Sequence, residues 1–116
     1  MALPEGAAQR IYRIMCNVAT CDGHLDESER KVLDAAVSSF GLGAEEASAL
    51  EAEGSAGEGI VIGEDPAERQ ALITAMIDVA AADGRIDSAE RKRLVRVAKR
   101  IGLSPQELEA QLLPRL

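Results

Sequence analysis

Aromatic residues are nearly absent from this chain of 116 residues, which has one Tyr, one Phe and no Trp. A core without them must be built from Leu, Ile, Val, Met and Ala, which favours closely packed helices. Of the two aromatics, we expect Tyr12 to reach the surface and Phe40 to lie inside. The large aromatic anchors that dominate many protein interfaces are therefore missing.

Long apolar runs and a cysteine framework are missing as well. No stretch approaches 18 apolar residues, and the first ten residues lack the basic and apolar regions of a signal peptide. We therefore expect no membrane insertion. The only cysteines are Cys16 and Cys21, which fall in an apolar helical pattern and indicate buried or half-buried thiols in a reducing, cytoplasmic compartment.

Residues for catalysis are scarce. His24 is the only histidine, and together with Cys21 it supplies too few ligands for a zinc site. No serine or cysteine nucleophile has a recognisable general base. The sequence therefore predicts that the protein is not an enzyme.

Charge is distributed unevenly along the chain. Residues 1–58 carry 4 basic and 11 acidic side chains, and residues 59–116 carry 9 of each, so the formal net charge of −7 belongs to the first half. An acidic chain is repelled by nucleic acid, so we expect no nucleic-acid partner. One predicted helix, 88–101, is basic, and its cations form either a solvated face or a surface for an acidic protein, a second copy included. They are Arg91, Lys92, Arg93, Arg96, Lys99 and Arg100. A surface for nucleic acid or acidic lipid is a further alternative, which the net charge and the lack of aromatics disfavour.

Apolar spacing predicts four amphipathic helices in two pairs, with apolar residues on one face within 11–19, 33–40, 72–80 and 94–101. Gly43 is expected to open a short helix that ends near Glu51. Helix starts are also indicated at Asp65-Pro66-Ala67-Glu68, with Glu68 closing a capping box, and at Ser104-Pro105-Gln106-Glu107. The prediction is an all-α domain of about six to seven helices.

A shift of 61 residues superposes the two halves, because 13 of 32 positions from Met15 to Glu46 are identical to those from Met76 to Glu107. Such self-similarity indicates a duplicated helix–loop–helix unit. We expect one domain over 1–116, with repeat 1 at about 5–52, repeat 2 at about 65–116 and approximate twofold symmetry between them. The Gly-rich residues 53–64 are expected to be a linker whose Ile60-Val61-Ile62 packs on the core.

The best-matched stretch is a loop that reads D-G-x-[LI]-D-x-x-E at Asp22–Glu29 and at Asp83–Glu90. This equals the second half of an EF-hand calcium loop. Val18 and Val79 stand where the first ligand of such a loop would be, so neither copy is a complete EF-hand.

Two interpretations of the six loop acids remain open. The pairs Asp26/Glu29 and Asp87/Glu90 have the spacing of capping boxes, which explains them without a ligand. Asp22 and Asp83 follow helix C-termini, where the helix dipole disfavours an anion, and so favour a nearby cation or basic partner. If the twofold axis joins the loops, the acids form one site for a hard cation such as Ca²⁺, Mg²⁺ or Mn²⁺.

The doubled pattern VATCDGHLDESERKVL…FGL and VAAADGRIDSAERKRL…IGLSPQE resembles the TerB family of tellurite-resistance proteins, over about 11–112. It also resembles the related N-terminal domain of certain membrane-anchored J-domain co-chaperones. The resemblance implies an all-α fold of two related halves, a cytoplasmic setting, no catalytic activity and a protein partner in a membrane-associated complex. It also implies a metal-binding acidic cluster, here Asp22, Asp26, Glu29, Asp83, Asp87 and Glu90.

Two functions are therefore expected from the sequence. The first is a TerB-like module, linked to tellurite or stress resistance, that binds a divalent cation through the paired loops and docks on a protein. The alternative is a metal-free interaction or scaffold domain in which the acids act only as helix caps.

Overall fold

The computed structural model describes residues 3–21 and 23–116, and within these ranges it contains helices and no strands. The elements are α1 (Ala7–Thr20), α2 (Glu27–Phe40), α3 (Ala44–Ser55), α4 (Pro66–Ala80), α5 (Ser88–Arg100), α6 (Pro105–Leu112) and a final 3₁₀ turn (Leu113–Arg115). The all-α prediction is confirmed. None of the described helices is both long and apolar enough to cross a membrane.

The centre of the molecule is the contact between α1 and α4, the first helices of the two repeats. Around it the contacts are mirrored: α1 packs on α2 as α4 packs on α5, while α2 also touches α4 and α5 touches α1. Apolar positions that are identical in the repeats are buried in both copies, as the pairs Met15/Met76 and Val18/Val79 show. These mirrored contacts agree with the expected approximate twofold arrangement.

The third helices break this symmetry. Helix α3 packs closely on α1, whereas α6 packs mainly on α5. As a result α1 is enclosed by α3 and α4, and the side chain of Tyr12 is only 1% exposed. The expectation that Tyr12 reaches the surface is wrong, because α3 covers the face of α1 on which it lies.

Gly54 belongs to α3 and not to the linker, since α3 runs to Ser55 instead of ending near Glu51. Its backbone lies against α1: a Cβ at this position would stand 2.3 Å from the carbonyl oxygen of Arg13. The side-chain amide of Asn17 donates a hydrogen bond of 3.0 Å to the Gly54 carbonyl oxygen. A glycine is thus required here for close helix packing, even though it weakens helix propensity.

The segment that follows α3 is less buried than expected. Ile60 and Val61 are 37% and 56% exposed, and Ile62 alone of the three packs against the core. The prediction that all three residues pack on the core is therefore wrong for Ile60 and Val61, because the irregular segment 58–65 brings only Ile62 against the helices.

Glu68 also departs from its predicted role. Asp65 caps α4 by accepting hydrogen bonds from the backbone of Ala67 and Glu68, but the Glu68 side chain does not complete a capping box. It turns inward, where it is 2% exposed, and forms two hydrogen bonds of 2.7 Å with the guanidinium of Arg10 on α1. The hydrogen bonds from Arg10 hold the pKa of the Glu68 carboxyl below its usual range. A buried carboxylate therefore ties the start of α4 to α1.

Replacing Gly54 with Ala should lower the free energy of unfolding by about 1–3 kcal/mol, because the added methyl group collides with backbone that cannot move independently. The loss should appear in urea unfolding although Ala favours helices by ~1 kcal/mol over Gly. Ser55→Ala, at the exposed neighbouring position, is the control, with an expected change within about 0.5 kcal/mol. Equal stability of Gly54→Ala and the wild type would refute the close α1–α3 contact.

Replacing Arg10 with Met should destabilise the fold by about 3 kcal/mol, since it leaves the Glu68 carboxylate buried without its counter-charge. Arg13→Met is a matched control on the same helix, because its partner Glu53 is 43% exposed and such pairs contribute less than about 1 kcal/mol. Chemical denaturation of both variants measures the difference. A smaller effect for Arg10→Met than for Arg13→Met would contradict this account.

Candidate carboxylate site between the two repeats

A cavity of about 360 Å³ lies where the loops of the two repeats meet. Five of the six acids singled out in the sequence line it: Asp26, Glu29, Asp83, Asp87 and Glu90. The sixth, Asp22, lies outside the described residues. The structure thus brings the acids of both repeats to one cavity, as the duplicated loop led us to expect.

The mirrored helix contacts create this arrangement. Helices α2 and α5 both start at the cavity, and each reaches across to the first helix of the other repeat. The loops that precede them turn at Gly23 and Gly84, whose φ angles of 84° and 83° lie in the left-handed region. Only glycine adopts this region readily, which explains its presence in both copies.

Both capping boxes predicted from the sequence are complete. Asp26 Oδ1 accepts the Glu29 N–H at 2.7 Å, and Glu29 Oε1 accepts the Asp26 N–H at 3.2 Å. In the second repeat, Asp87 Oδ1 accepts the Glu90 N–H at 2.8 Å, and Glu90 Oε1 accepts the Asp87 N–H at 3.4 Å. The capping interpretation is confirmed. Capping uses one carboxylate oxygen of each of these four side chains.

Capping does not account for the burial of the two glutamates. Glu29 is 7% exposed and Glu90 is 5% exposed, whereas carboxylates at this helix position ordinarily remain in water. The Oε2 atom of Glu90 is buried and accepts no hydrogen bond from any described residue. A buried oxygen without a donor is unfavourable by about 1–3 kcal/mol or more.

The Glu90 side chain lies beside that of Glu29, so each repeat contributes one carboxyl group to this contact. Burial, followed by the contact with Glu29, raises the pKa of the Glu90 carboxyl well above its usual range. Glu107, which closes the equivalent capping box of α6, is exposed and has a lowered pKa because it accepts the backbone N–H of Ser104. The same type of capping box therefore accompanies a raised pKa at Glu90 and a lowered pKa at Glu107. The difference between the two residues is that Glu90 is buried beside a second carboxyl group.

Asp83 and Arg85 also line the cavity, together with Ala80 and Ile86. Asp83 Oδ1 accepts the backbone N–H of Arg85 at 2.9 Å, which closes the turn around Gly84. This local bond gives Asp83 a structural role that the sequence argument did not foresee. Arg85 itself was also missed, although its position matches that of His24 in the first repeat.

The described residues do not form a ready-made metal site, since no three Asp, Glu, His or Cys side chains among them are grouped tightly enough to hold an ion. The expectation that neither loop is an EF-hand agrees with the structure. Val18 and Val79, at the first ligand position, are buried core residues. Thr20, which stands at the third position of the first loop, donates its hydroxyl to the Cys16 carbonyl oxygen at 2.8 Å.

The thiols are not part of this cavity. Cys16 is buried in α1, and burial raises its pKa to about 12, so it is not reactive as a thiolate. Cys21 is half-buried, and neither thiol forms a disulfide. The prediction of buried or half-buried cysteines is confirmed.

Stability of chelator-treated protein should decrease as the pH rises through neutrality. A carboxyl group whose pKa is raised on folding contributes stability that is present below its unfolded pKa and is lost as the pH rises towards its folded pKa. Urea unfolding at about pH 5 and about pH 8 should show a loss on the order of 2 kcal/mol.

The variant Glu90→Gln should remove most of this loss while retaining the cap, since Gln also closes a capping box. The control is Glu107→Gln, which alters the same capping position away from the cavity. If Glu90→Gln loses as much stability between these two pH values as the wild type does, the proton responsible for the pH dependence is not held by Glu29 and Glu90.

Comparison with known proteins identifies one family. The family model described as "Tellurite resistance protein TerB" matches residues 60–112, a segment that contains the second loop and all of α4 and α5. Comparisons with curated proteins and with solved structures return no significant match. The resemblance seen in the doubled motif is thus confirmed over residues 60–112, and the chain is similar to the TerB family of tellurite-resistance proteins.

Proposed function

We propose that this protein is a TerB-like, non-catalytic module that binds one hard divalent cation between its two loops and docks on a protein partner. Ca²⁺, Mg²⁺ and Mn²⁺ are the candidate ions, because the cavity offers carboxylate oxygens and no soft ligand among its described lining residues. The match to a family described as "Tellurite resistance protein TerB" supports a role in tellurite resistance or a related stress response.

The observation that carries the proposal is the juxtaposition of Glu29 and Glu90. Each belongs to a different repeat, each is more than nine-tenths buried, and Glu90 Oε2 has no hydrogen-bond donor among the described residues. Two buried carboxylates side by side require either a shared proton or a cation. A divalent ion would neutralise both groups and supply the missing partner of that oxygen.

The remaining ligands would come from the rim. Asp26 and Asp87 each use one oxygen as a helix cap, and Asp83 uses one for its turn. Water completes the shell of such an ion where a protein offers few ligands, as is common for Mg²⁺. Asp22 belongs to the proposed ligand set by its position in the motif and lies outside the described residues.

Docking is the second part of the proposal. The TerB resemblance supports a protein partner in a membrane-associated complex, and the uneven charge of the two halves favours recognition by charge. A reducing, cytoplasmic setting belongs to the same proposal and is supported by Cys16 and Cys21, which form no disulfide.

A metal-free interaction domain is the second candidate, and the two complete capping boxes favour it. In that case Glu29 and Glu90 share a proton at neutral pH, and Arg85 at the rim offsets part of the acidic charge. Both candidates share the fold, and they differ only in whether a cation replaces the proton.

Thermal unfolding of chelator-stripped protein with added Ca²⁺, Mg²⁺, Mn²⁺ or Zn²⁺ separates the two candidates. Ligand linkage predicts about 2.7 kcal/mol of stabilisation at a free-ion concentration a hundredfold above Kd, or roughly 10 °C in Tm for a domain of this size. We expect one of the hard ions to give this rise, and Zn²⁺ to give less.

The decisive variant is Glu29→Gln/Glu90→Gln, which keeps both capping boxes and removes both charges. It should fold and lose the response to the ion. Glu107→Gln, with the same capping position on α6, should retain the response. The metal-free alternative is supported, and the cation proposal fails, if no ion raises Tm or if the double variant responds as the wild type does.

A further inference from the structure

A second cavity of about 240 Å³ lies beneath the segment that joins the repeats. Its floor is apolar and comes from α1, α4 and α5, and its roof comes from the joining segment. The apolar lining residues are Ile14, Val18, Ile60, Ile62, Met76 and Val97. It shares no lining residue with the carboxylate cavity among the described residues.

Three arginines of α5 line one side of this cavity: Arg93, Arg96 and Arg100. Their spacing of three and four residues places them on one face of the helix, over about 10 Å. None of the three forms an ion pair or a side-chain hydrogen bond with the described residues, whereas Arg91 on the same helix is paired with Glu109.

The unpaired arginines stand out in a chain whose net charge is −7. Most other arginines here are bonded to a carboxylate, as Arg10, Arg13 and Arg30 are. Three like charges on one face are mutually repulsive, and an anionic partner removes that repulsion. The cluster therefore favours an occupant with several negative charges.

We propose that this arginine-lined cavity binds an acidic peptide of a partner protein, with one aliphatic side chain of the peptide in the cavity and flanking carboxylates on Arg93, Arg96 and Arg100. The proposal rests on the docking part of the proposed function and names its surface. A row of cations along two helix turns fits carboxylates spaced along a peptide better than a single phosphate.

The size of the cavity agrees with this occupant. Sites for small molecules usually enclose about 300–1,000 Å³, and this cavity is smaller, which suits one buried side chain. A strand of nucleic acid would need aromatic stacking residues. Neither Tyr12 nor Phe40 lines this opening.

Fluorescence anisotropy tests the proposal with a dye-labelled peptide in which one leucine is flanked on both sides by glutamates. A peptide with glycine for leucine and one with lysine for glutamate are the ligand controls. We expect saturable binding of the first peptide, about tenfold weaker binding of the glycine peptide, and no binding of the lysine peptide. Higher salt should weaken the binding.

Two pairs of protein variants locate the site. Arg96→Gln/Arg100→Gln should weaken binding about tenfold, whereas Lys92→Gln/Lys99→Gln removes the same charge from the same helix outside the cavity and should change it less than about twofold. Ile60→Ser should weaken binding because Ile60 lines the cavity. Its neighbour Val61, also exposed, does not line it, and Val61→Ser is the control.

Equal affinities of the two charge variants would overturn the proposal, as would a peptide that does not bind at all. Binding to phosphatidylserine vesicles in place of the peptide would assign the arginines to a membrane surface. If no peptide binds, but the protein self-associates in sedimentation and Arg96→Gln/Arg100→Gln abolishes that self-association, the arginines belong to an interface with a second copy. The vesicle result and the self-association result would each also overturn the proposal. The assay is run in chelator, so its failure is distinguishable from failure of the cation site.

Discussion

The crossing of α1 and α4 is the constraint on which the rest of the structure depends. Each repeat is an amphipathic unit with one apolar face, and it buries much of that face by close contact with the other repeat. Positions on these two helices that are identical between the repeats, such as Met15/Met76, are buried in both copies. Once the helices cross in this way, the starts of α2 and α5 meet, and with them Glu29 and Glu90.

The packing that brings these two glutamates together has an electrostatic cost, because it buries two acidic groups side by side. The capping boxes stabilise the starts of α2 and α5 by satisfying backbone donors. The twofold arrangement then buries the same glutamates side by side, where burial and the neighbouring carboxyl raise the pKa of Glu90. Glu107, capped in the same way but exposed, shows no such conflict. A cation between the loops would resolve this conflict while leaving the caps intact.

Local features were predictable from the sequence, and long-range ones were not. Helix starts and capping boxes depend on neighbouring residues, so the pattern around Asp26 and Asp87 predicted the caps of α2 and α5 correctly. The roles of Gly54 and Glu68 depend on α1, more than thirty residues away in the chain and without a signal in local spacing. The duplication indicated that the acids would meet if a twofold axis joined the loops, whereas the burial of Glu90 and the position of Arg85 required the packed structure.

The most direct test of one shared site is a titration of isotopically labelled, chelator-stripped protein with Ca²⁺ or Mg²⁺, followed by amide NMR signals of Gly23 and Gly84. These glycines belong to different repeats, and each turns a loop at the cavity. A cation held by both loops predicts that the two signals shift with one common Kd, and that Glu90→Gln in the second repeat abolishes the shift of Gly23 in the first. Independent affinities for the two loops, or no shift of either signal, would contradict the account.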